Sequence, residues 1–332
     1  MLMLAGLMGL IMVGMAVDFT GGAAPANEDD ATDETARAVG AGRHPAEPSL
    51  EENPLAEAIT GSDGGDILAG TEGADAIAGL DGDDQLGGCA GDDTLAGSDG
   101  ADALRGDSGD DAIAGDAGND TLAGGEGADT LGGGPGDDSL AGCEGDDVLF
   151  GGDGADSLVG GGGADVRDGG AGDDALEGGM DSDTLRGGTG QDTLMGGDGN
   201  DLLSGTEPGA EGADADLRDF LNGGRGADSI APGQGDWANG GTGADDFLLH
   251  DWLAESRGPA IIEDYASDED QLVILYDPEV HPDPEVTVEP DPEAAESVRV
   301  LIDGAVIARV LGNPGLTAEQ IELVAEDEVL VA

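Results

Sequence analysis

The chain has 332 residues, of which 65 are glycine, and its 75 acidic residues far outnumber its 10 basic ones, all arginine. A formal net charge of −65 excludes nucleic acid and anionic membrane surfaces as partners, because both are bound through basic patches. Aromatic residues make up only 2%, which argues against an aromatic-anchored core over most of the length. Composition alone is equally compatible with an acidic, glycine-rich disordered chain.

The N-terminal residues 1–17 are apolar throughout and end at Asp18. They lack the basic start of a secretory signal and are short for a membrane span. A cleavable signal, a membrane anchor and a mis-set start codon all remain open; we expect an uncleaved apolar segment, a candidate anchor, as the only region of membrane contact. Residues 18–60 are rich in Ala, Glu, Asp and Pro and are predicted to be an acidic disordered linker.

From Gly61 to Ser204 the sequence divides without a gap into sixteen nonapeptides. The first place is glycine in all sixteen, and the fourth is glycine in all but one, where Asp181 stands. The sixth place is always aspartate, and the eighth is Leu or Ile except at Arg167. A period held over this length indicates a solenoid, in which each unit stacks on its neighbours.

Each place of the repeat has a physical reason. Glycine at the first and fourth places permits positive φ and a tight turn with exposed carbonyls. The last three residues form a very short strand whose eighth-place side chain points inward. One such strand cannot fold alone, so two repeats are expected to make an eighteen-residue coil with strands on opposite sides. The eighth-place leucines then meet in a thin ladder.

Stacking places the sixth-place aspartates close together, which is unfavourable for bare carboxylates. Calcium takes six to eight oxygen ligands from carboxylates and backbone carbonyls in flexible geometry, so it suits this arrangement. The sixteen repeats contain 35 acidic residues and three arginines. We expect about one calcium ion for each pair of repeats i and i+2, which would neutralise most of this charge. An EF-hand is excluded because the period is nine and no glutamate stands at loop position twelve.

The repeat resembles the nonapeptide of RTX (haemolysin-type) calcium-binding proteins. The resemblance implies an all-β fold, a parallel β-roll (β-solenoid) that holds Ca²⁺ between successive turns. Two later segments, Gly223–Ala231 and Gly240–Leu248, are repeats again, whereas "PGQGDWAN" between them is one residue short. The predicted calcium ligands are Asp66, Asp75, Asp84, Asp93, Asp102, Asp111, Asp120, Asp129, Asp138, Asp147, Asp156, Asp165, Asp174, Asp183, Asp192, Asp201, Asp228 and Asp245.

The predicted roll spans residues 61–248, with an insertion at 205–222. Within the insertion, Leu217, Phe220 and Leu221 are at helical spacing after an aspartate that could cap a helix. We interpret the insertion as a loop with a short helix against the side of the roll. A degenerate coil of the roll is the alternative, because eighteen residues are one coil's length.

Residues 249–332 are predicted to form a small, mainly β C-terminal domain. The segments "PAIIEDY", "QLVILYD", "SVRVLID" and "AVIARVL" are typical of strands, "TAEQIELVAE" of a terminal helix, and Asp277–Pro292 of a connecting loop or edge. This region resembles the C-terminal target domain of type I secreted proteins. Its last residues, "EDEVLVA", resemble the ending of that family, acidic residues followed by small aliphatic ones.

No catalytic motif is recognised. H-E-x-x-H and G-x-S-x-G are absent, and the histidines at 44, 250 and 281 are scattered. We therefore expect a secreted, extracellular, non-enzymatic calcium-binding protein whose partners are calcium ions, type I secretion machinery and a cell surface or polysaccharide. One alternative is a calcium-stiffened stalk or adhesin anchored at the cell surface. Another is a hydrolase with an unrecognised site.

Two details of the repeats give further expectations. Cys89 and Cys143 both occupy the second place and lie three coils apart, so they are predicted not to form an intramolecular disulfide. Arg167 would place a charge in the leucine ladder, at a cost that predicts a bulge or a shift of Val166 into the core.

Overall fold

The computed structural model describes residues 58–205, 218–250 and 258–325. The first part of the roll contains β1 (Ala58–Thr60), β2 (Ile67–Ala69), β3 (Ala76–Asp81), β4 (Gln85–Ala90), β5 (Thr94–Asp99), β6 (Ala103–Ser108), β7 (Ala112–Ala117), β8 (Thr121–Glu126), β9 (Thr130–Pro135), β10 (Ser139–Glu144), β11 (Val148–Asp153), β12 (Ser157–Gly162), β13 (Val166–Ala171), β14 (Ala175–Met180), β15 (Thr184–Thr189), β16 (Thr193–Asp198) and β17 (Leu202–Ser204).

The later strands are β18 (Phe220–Arg225), β19 (Ser229–Ala231), β20 (Trp237–Thr242), β21 (Asp246–His250), β22 (Ala260–Glu263), β23 (Gln271–Tyr276), β24 (Val286–Pro290), β25 (Val298–Ile302), β26 (Ala305–Val310) and β27 (Ile321–Ala325). A 3-10 helix, Ala318–Gln320, precedes the last strand. Among the described residues, no helix has the length and apolar character needed to cross a membrane.

Successive strands alternate between two sheets. From β1 to β23 the odd-numbered strands, joined at the end by β27, form a 13-stranded sheet, and the even-numbered strands up to β22 belong to a 14-stranded sheet that ends β26-β25-β24. Each strand of the repeats pairs in parallel with the strand eighteen residues away, as Leu95 with Ile77 and Ile113. The predicted parallel β-roll with two repeats per coil is therefore confirmed.

The core is the expected ladder of eighth-place side chains. These residues are almost fully buried in both sheets and belong to one hydrophobic cluster. The ladder consists of Ile77, Leu86, Leu95, Leu104, Ile113, Leu122, Leu131, Leu140, Leu149, Leu158, Leu176, Leu185, Leu194, Leu203, Leu221 and Ile230, and Phe247 and Ile262 extend it. Because one large side chain per strand fills the interior, the roll buries little apolar surface for its length.

The strands are longer than predicted, and the residues with positive φ are partly at other places of the repeat than predicted. Most strands of the repeat run for six residues, from the seventh place through the next third place. Positive φ occurs at the second place, as in Leu80 and Cys89, and at the fourth, as in Gly118. The fourth-place part of the prediction is confirmed. The first-place part is wrong, since the first-place glycines of the described repeats do not adopt positive φ.

The C-terminal strands continue both sheets of the roll. The four segments predicted as strands contain β22, β23, β25 and β26, and the proline-rich stretch provides the edge strand β24. β22 pairs in parallel with β20, and β23 with β21. The predicted terminal helix is wrong: after the 3-10 turn, Ile321–Ala325 pairs in parallel with β23. Pairing with an open sheet edge outweighs a weak helical propensity.

The end of the insertion is a strand. Phe220 and Leu221 belong to β18 and pair with Thr193 and Leu194 of β16. The predicted helix is therefore wrong for these two residues, and the alternative of a degenerate coil describes 218–222 correctly. The rest of that prediction, including Leu217, lies outside the described residues, as do the apolar segment 1–17, most of the linker and the C-terminal residues 326–332.

Candidate cation sites along the roll

The sixth-place aspartates form two columns, one along each edge of the roll. Each aspartate stands immediately before a strand of the repeat, at the end of the turn that joins the two sheets. From Asp75 to Asp245 these side chains are buried, although aspartate is normally a surface residue. The fold thus places a row of carboxylates inside the turns.

One carboxylate oxygen of each aspartate holds two coils in register. The backbone N–H of Asp84 donates to Oδ1 of Asp102 at 2.7 Å, and the N–H of Asp102 donates to Oδ1 of Asp120 at 2.8 Å. The other column behaves in the same way: the N–H of Asp111 donates to Oδ1 of Asp129 at 2.8 Å. Oδ1 thus serves as the acceptor for a main-chain N–H of the neighbouring coil.

The second carboxylate oxygen receives no such bond over most of the roll. Within the described residues, the buried Oδ2 atom has no hydrogen-bond partner at Asp84, Asp93, Asp102, Asp111, Asp120, Asp129, Asp138, Asp147, Asp156, Asp174, Asp183, Asp201 and Asp228. A buried carboxylate oxygen without a donor is costly, and the same omission repeats in turn after turn. Because the same atom lacks a donor in each of these turns, Oδ2 is the oxygen that is available to bind a cation.

Main-chain carbonyls converge with Oδ2 at the first-place glycine. A methyl group on Gly97 would overlap Oδ2 of Asp102 and would lie 2.8 Å from the carbonyl oxygen of Gly115, eighteen residues on. The same pair of oxygens surrounds Gly133, where Asp138 and the carbonyl of Gly151 are the neighbours. Each turn therefore brings together a carboxylate oxygen of one repeat and a carbonyl oxygen of the repeat two further along.

Burial raises the pKa of these carboxyl groups and so disfavours their charged form. Desolvation raises the pKa of Asp174 and of Asp228 to about 7, and that of Asp111 and Asp147 to about 6. Neighbouring aspartates of the same column add to the rise, as Asp192 and Asp156 do at Asp174. The main-chain N–H bonds at Oδ1 oppose it only in part. A cation between the coils would relieve both the burial and the repulsion.

The donor set suits a hard divalent cation. Within the described residues, no three His, Cys, Asp or Glu side chains converge as a metal-binding group. A cation here would accordingly take main-chain carbonyls along with one or two carboxylates. Carboxylate and carbonyl oxygens in flexible turns are the ligands of calcium, whereas zinc prefers nitrogen and sulfur. The residues present fit calcium.

Several predicted ligands have a different environment. Oδ2 of Asp66 accepts hydrogen bonds from the N–H and hydroxyl of Ser62, and Oδ2 of Asp75 accepts them from Thr71. These two aspartates belong to the first coil. At the other end, Asp245 keeps the pattern of the column, because its N–H donates to Oδ1 of Asp270 at 3.1 Å. Whether each predicted aspartate binds calcium stays a prediction.

Three members of the columns were missed by the sequence analysis. Asp192 N–H donates to Oδ1 of Asp219, whose own N–H donates to Oδ1 of Asp236, and Asp270 extends the other column. The signal for two of them was the motif Asp-x-x-x-Gly-Gly, present as "DFLNGG" and "DWANGG". Strict nine-residue counting hid it, because the intervening repeat lengths differ.

The expected bulge at Arg167 is wrong. β13 keeps its register, with Arg167 between Leu149 and Leu185, and Val166 stays at the seventh place. The guanidinium is fully buried and ion-paired: Nη2 lies 2.7 Å from Oδ2 of Asp165 and 3.2 Å from Oδ1 of Asp183. The prediction considered the cost of burying the charge of Arg167, but it did not include the carboxylates of Asp165 and Asp183 that compensate this charge.

A family model described as RTX calcium-binding nonapeptide repeat (4 copies) matches the chain at residues 60–95, 88–122, 96–131, 105–140, 132–166, 142–176, 177–207 and 218–236. Together these matches cover just over half of the sequence. A comparison with curated proteins finds no match to the chain.

Proposed function

Because the chain belongs to the family of RTX calcium-binding nonapeptide repeat proteins, we propose that calcium ions occupy the turns of the roll and that their binding drives its folding outside the cell. The proposed ligands of each ion are Oδ2 of one sixth-place aspartate, the carbonyl oxygen of the first-place glycine two repeats on, and further turn carbonyls. The role is structural and non-enzymatic. The observation that carries the proposal is the donor-less Oδ2 that recurs along both columns.

Folding is expected to depend on calcium because the apolar core of the roll is thin. One leucine per strand stabilises each coil weakly, whereas each coil of the repeats after the first buries two carboxylates that repel their neighbours. A ligand that binds only the folded chain shifts the equilibrium toward folding by mass action. Extracellular calcium modules bind with dissociation constants of about 10⁻⁴ to 10⁻³ M, so the chain would fold outside the cell and stay unfolded inside it.

The test compares the full chain with two aspartate variants. Circular dichroism follows the β signal during a calcium titration, and native mass spectrometry counts the bound ions. Asp129→Asn keeps Oδ1 as the acceptor for Asp111 and replaces Oδ2 by an amide. We expect it to bind fewer calcium ions than the wild type and to fold at a several-fold higher calcium concentration.

The matched control is Asp137→Asn, which removes one exposed fifth-place carboxylate from the turn of the next repeat, at the opposite edge of the roll. Asp137 accepts an N–H bond from Ala155 through Oδ1, which the amide oxygen retains. The control is expected to match the wild type in both readouts. A calcium-independent β signal in the wild type, or equal effects of the two variants, would overturn the proposal.

For export we propose a type I route that passes the calcium-free, unfolded chain and depends on its C-terminal region. The support is the resemblance of residues 249–332 to the target domains of that route, together with the self-repulsion of a chain with net charge −65. The test is to delete residues 326–332 and blot medium, membrane and cytosol. Retention in the cytosol is expected. Normal export, or release from the membrane only when residues 1–17 are removed, would favour the anchored stalk.

A further inference from the structure

Arg167 stands where every other repeat from Gly61 to Ser204 carries Leu or Ile. Its strand is regular, with Arg167 paired to Leu149 on one side and Leu185 on the other. Its side chain is fully buried. A full charge in the centre of a thin apolar ladder needs compensation that a leucine does not.

The guanidinium reaches the edge of the roll and ends among three oxygens. Nη2 donates to Oδ2 of Asp165 at 2.7 Å, to Oδ1 of Asp183 at 3.2 Å and to the carbonyl oxygen of Gly178 at 3.0 Å. In repeat numbering these atoms are the sixth-place Oδ2, the sixth-place Oδ1 two repeats on, and the first-place carbonyl of that same repeat. They are the kinds of atom that converge in the other turns.

Comparison with another turn shows that Nη2 of Arg167 lies beside the first-place glycine and the sixth-place Oδ2 of its own repeat. A methyl group on Gly160 would overlap both Oδ2 of Asp165 and Nη2 of Arg167. At Gly133 the nearest atoms to such a methyl group are instead the carboxylate of Asp138 and the carbonyl oxygen of Gly151. The nitrogen of Arg167 thus lies in the space that the other turns leave beside Oδ2. Consistently, Asp165 is absent from the aspartates whose Oδ2 has no partner.

We propose that the Arg167 guanidinium is the resident cation of this one turn and takes the place of a calcium ion between Asp165 and Asp183. The inference rests on the proposed function, since it needs the other turns to bind calcium. Its consequence is one coil whose counter-charge is present at any calcium concentration, so that this coil opens less often than its neighbours when calcium is absent. Adjacent repeats can stack on this coil first when calcium arrives.

The polar contacts of the guanidinium are concentrated at one nitrogen atom. Within the described residues, Nε and Nη1 of Arg167 have no acceptor, so Nη2 makes all the polar contacts. Burial raises the pKa of Asp147 and Asp201, and the positive charge of Arg167 opposes that rise at both. Removing the cation would leave Asp165 and Asp183 buried without a counter-charge, unless calcium replaced it.

The decisive measurement is the number of calcium ions per chain. Native mass spectrometry on calcium-saturated protein compares the wild type with Arg167→Leu, which restores the consensus of the repeat. We expect Arg167→Leu to bind one ion more than the wild type. Arg105→Leu is the matched control, because Arg105 is largely exposed and pairs with the surface residue Asp107. The control is expected to keep the wild-type number.

A second measurement needs no variant. Hydrogen exchange of the calcium-stripped wild type compares the amide of Asp165, which donates to Oδ1 of Asp183, with that of Asp129, which donates to Oδ1 of Asp147. We expect exchange at Asp165 to be at least about tenfold slower, because its turn retains a cation. In Arg167→Leu this difference is expected to disappear.

The outcomes separate the two proposals. Equal calcium numbers in the wild type and Arg167→Leu, with calcium bound to both, would overturn the role of Arg167 and leave the proposed function intact. An absence of calcium from both chains would overturn the proposed function. Equal exchange at Asp165 and Asp129 in the stripped wild type would overturn the calcium-independent coil, even if Arg167→Leu fails to fold.

Discussion

At the residue scale, the first-place glycine is required for space and not for backbone freedom. The φ angles of these glycines are ordinary, but a Cβ at Gly133 would overlap Oδ2 of Asp138 and lie 2.7 Å from the carbonyl oxygen of Gly151. The glycine thus permits a carboxylate and a carbonyl to approach the same point. Any larger residue would occupy the position that we assign to a cation.

Substitution of this glycine should be costly, and its neighbour offers a control. Gly133→Ala is expected to lower the free energy of unfolding in calcium by about 1–3 kcal/mol, because the carbonyl and carboxylate must move apart. A methyl group on Gly132 meets nothing within 4 Å, and this residue does not adopt positive φ, so Gly132→Ala should be nearly neutral. Urea unfolding at saturating calcium measures both. Equal destabilisation by the two variants would contradict the packing argument.

The buried aspartates also predict the pH dependence of the calcium-free roll. The pKa of Asp174 and Asp228 is about 7 in the folded chain, above the ordinary value of 3.8, because burial disfavours the charged form. The folded state therefore binds more protons than the unfolded state between these values, and its stability falls as the pH rises. The contribution is complete below about pH 4 and is lost as the pH passes through about 7.

We expect calcium-stripped protein to gain β signal when the pH is lowered from 8 to 5, as followed by circular dichroism. Calcium-loaded protein should respond in the opposite direction, since protons compete with calcium for the carboxylates. The double variant Asp174→Asn, Asp228→Asn should weaken the acid response of the stripped protein. An identical β signal of stripped wild type at both pH values would show that the aspartates do not limit folding.

At the scale of the element, the strands owe their length to pairing and not to local pattern. Only the three residues around the eighth place have strand character, yet pairing continues through the second and third places, as between Leu80 and Ser98. Turns that repeat every eighteen residues bring their backbones into register as well. The same rule explains β27, where sheet pairing decides the conformation of Ile321–Ala325.

Strand order also predicts the behaviour of the two cysteines. Cys89 lies in β4 and Cys143 in β10, and β6 and β8 lie between them in the same sheet. Three strand spacings amount to about 14 Å, twice the Cα separation that a disulfide permits. Calcium-loaded protein under mild oxidant should keep both thiols within the monomer. Intact mass and thiol titration test this, and a loss of two protons per monomer would contradict the strand order.

At the scale of the whole molecule, the C-terminal strands extend both sheets, so that β24 and β27 become the edge strands at that end. β22 and β23 cover the edges of β20 and β21, which would otherwise expose unpaired backbone groups and the apolar residues Phe247 and Leu249. Open edges of parallel sheets promote association between chains. The C-terminal region therefore has a structural role in addition to the export role that we propose for it.

Truncation separates these two roles. A chain that ends at residue 250 is expected to self-associate in calcium, because the edges of β20 and β21 and the apolar residues Phe247 and Leu249 are then exposed. A chain that ends at residue 325 retains every described strand and should stay as monodisperse as the full chain. Size-exclusion chromatography with light scattering compares the two. A monodisperse, calcium-folded chain ending at residue 250 would show that the roll needs no C-terminal cover.

Sequence alone determined the period, the coil of two repeats, the inward-facing leucines and the sixth-place aspartates, since each follows from spacing and residue type. It also located four of the C-terminal strands. The chemistry of the proposed sites was accessible at the same level, because an invariant aspartate beside glycine turns points to oxygen ligands for a hard cation. These features are local and repeat, so one repeat predicts the next.

The tertiary structure decided what depends on residues far apart in the chain. It showed that Oδ1 of these aspartates accepts a main-chain N–H bond from the neighbouring coil, whereas Oδ2 has no donor over most of the roll. It also added Asp219, Asp236 and Asp270 to the columns. It placed Arg167 between Asp165 and Asp183, where a charge is stabilised instead of expelled. The physical reason is common to all of these: electrostatic compensation and sheet pairing act between coils, and stacking alone brings their partners together.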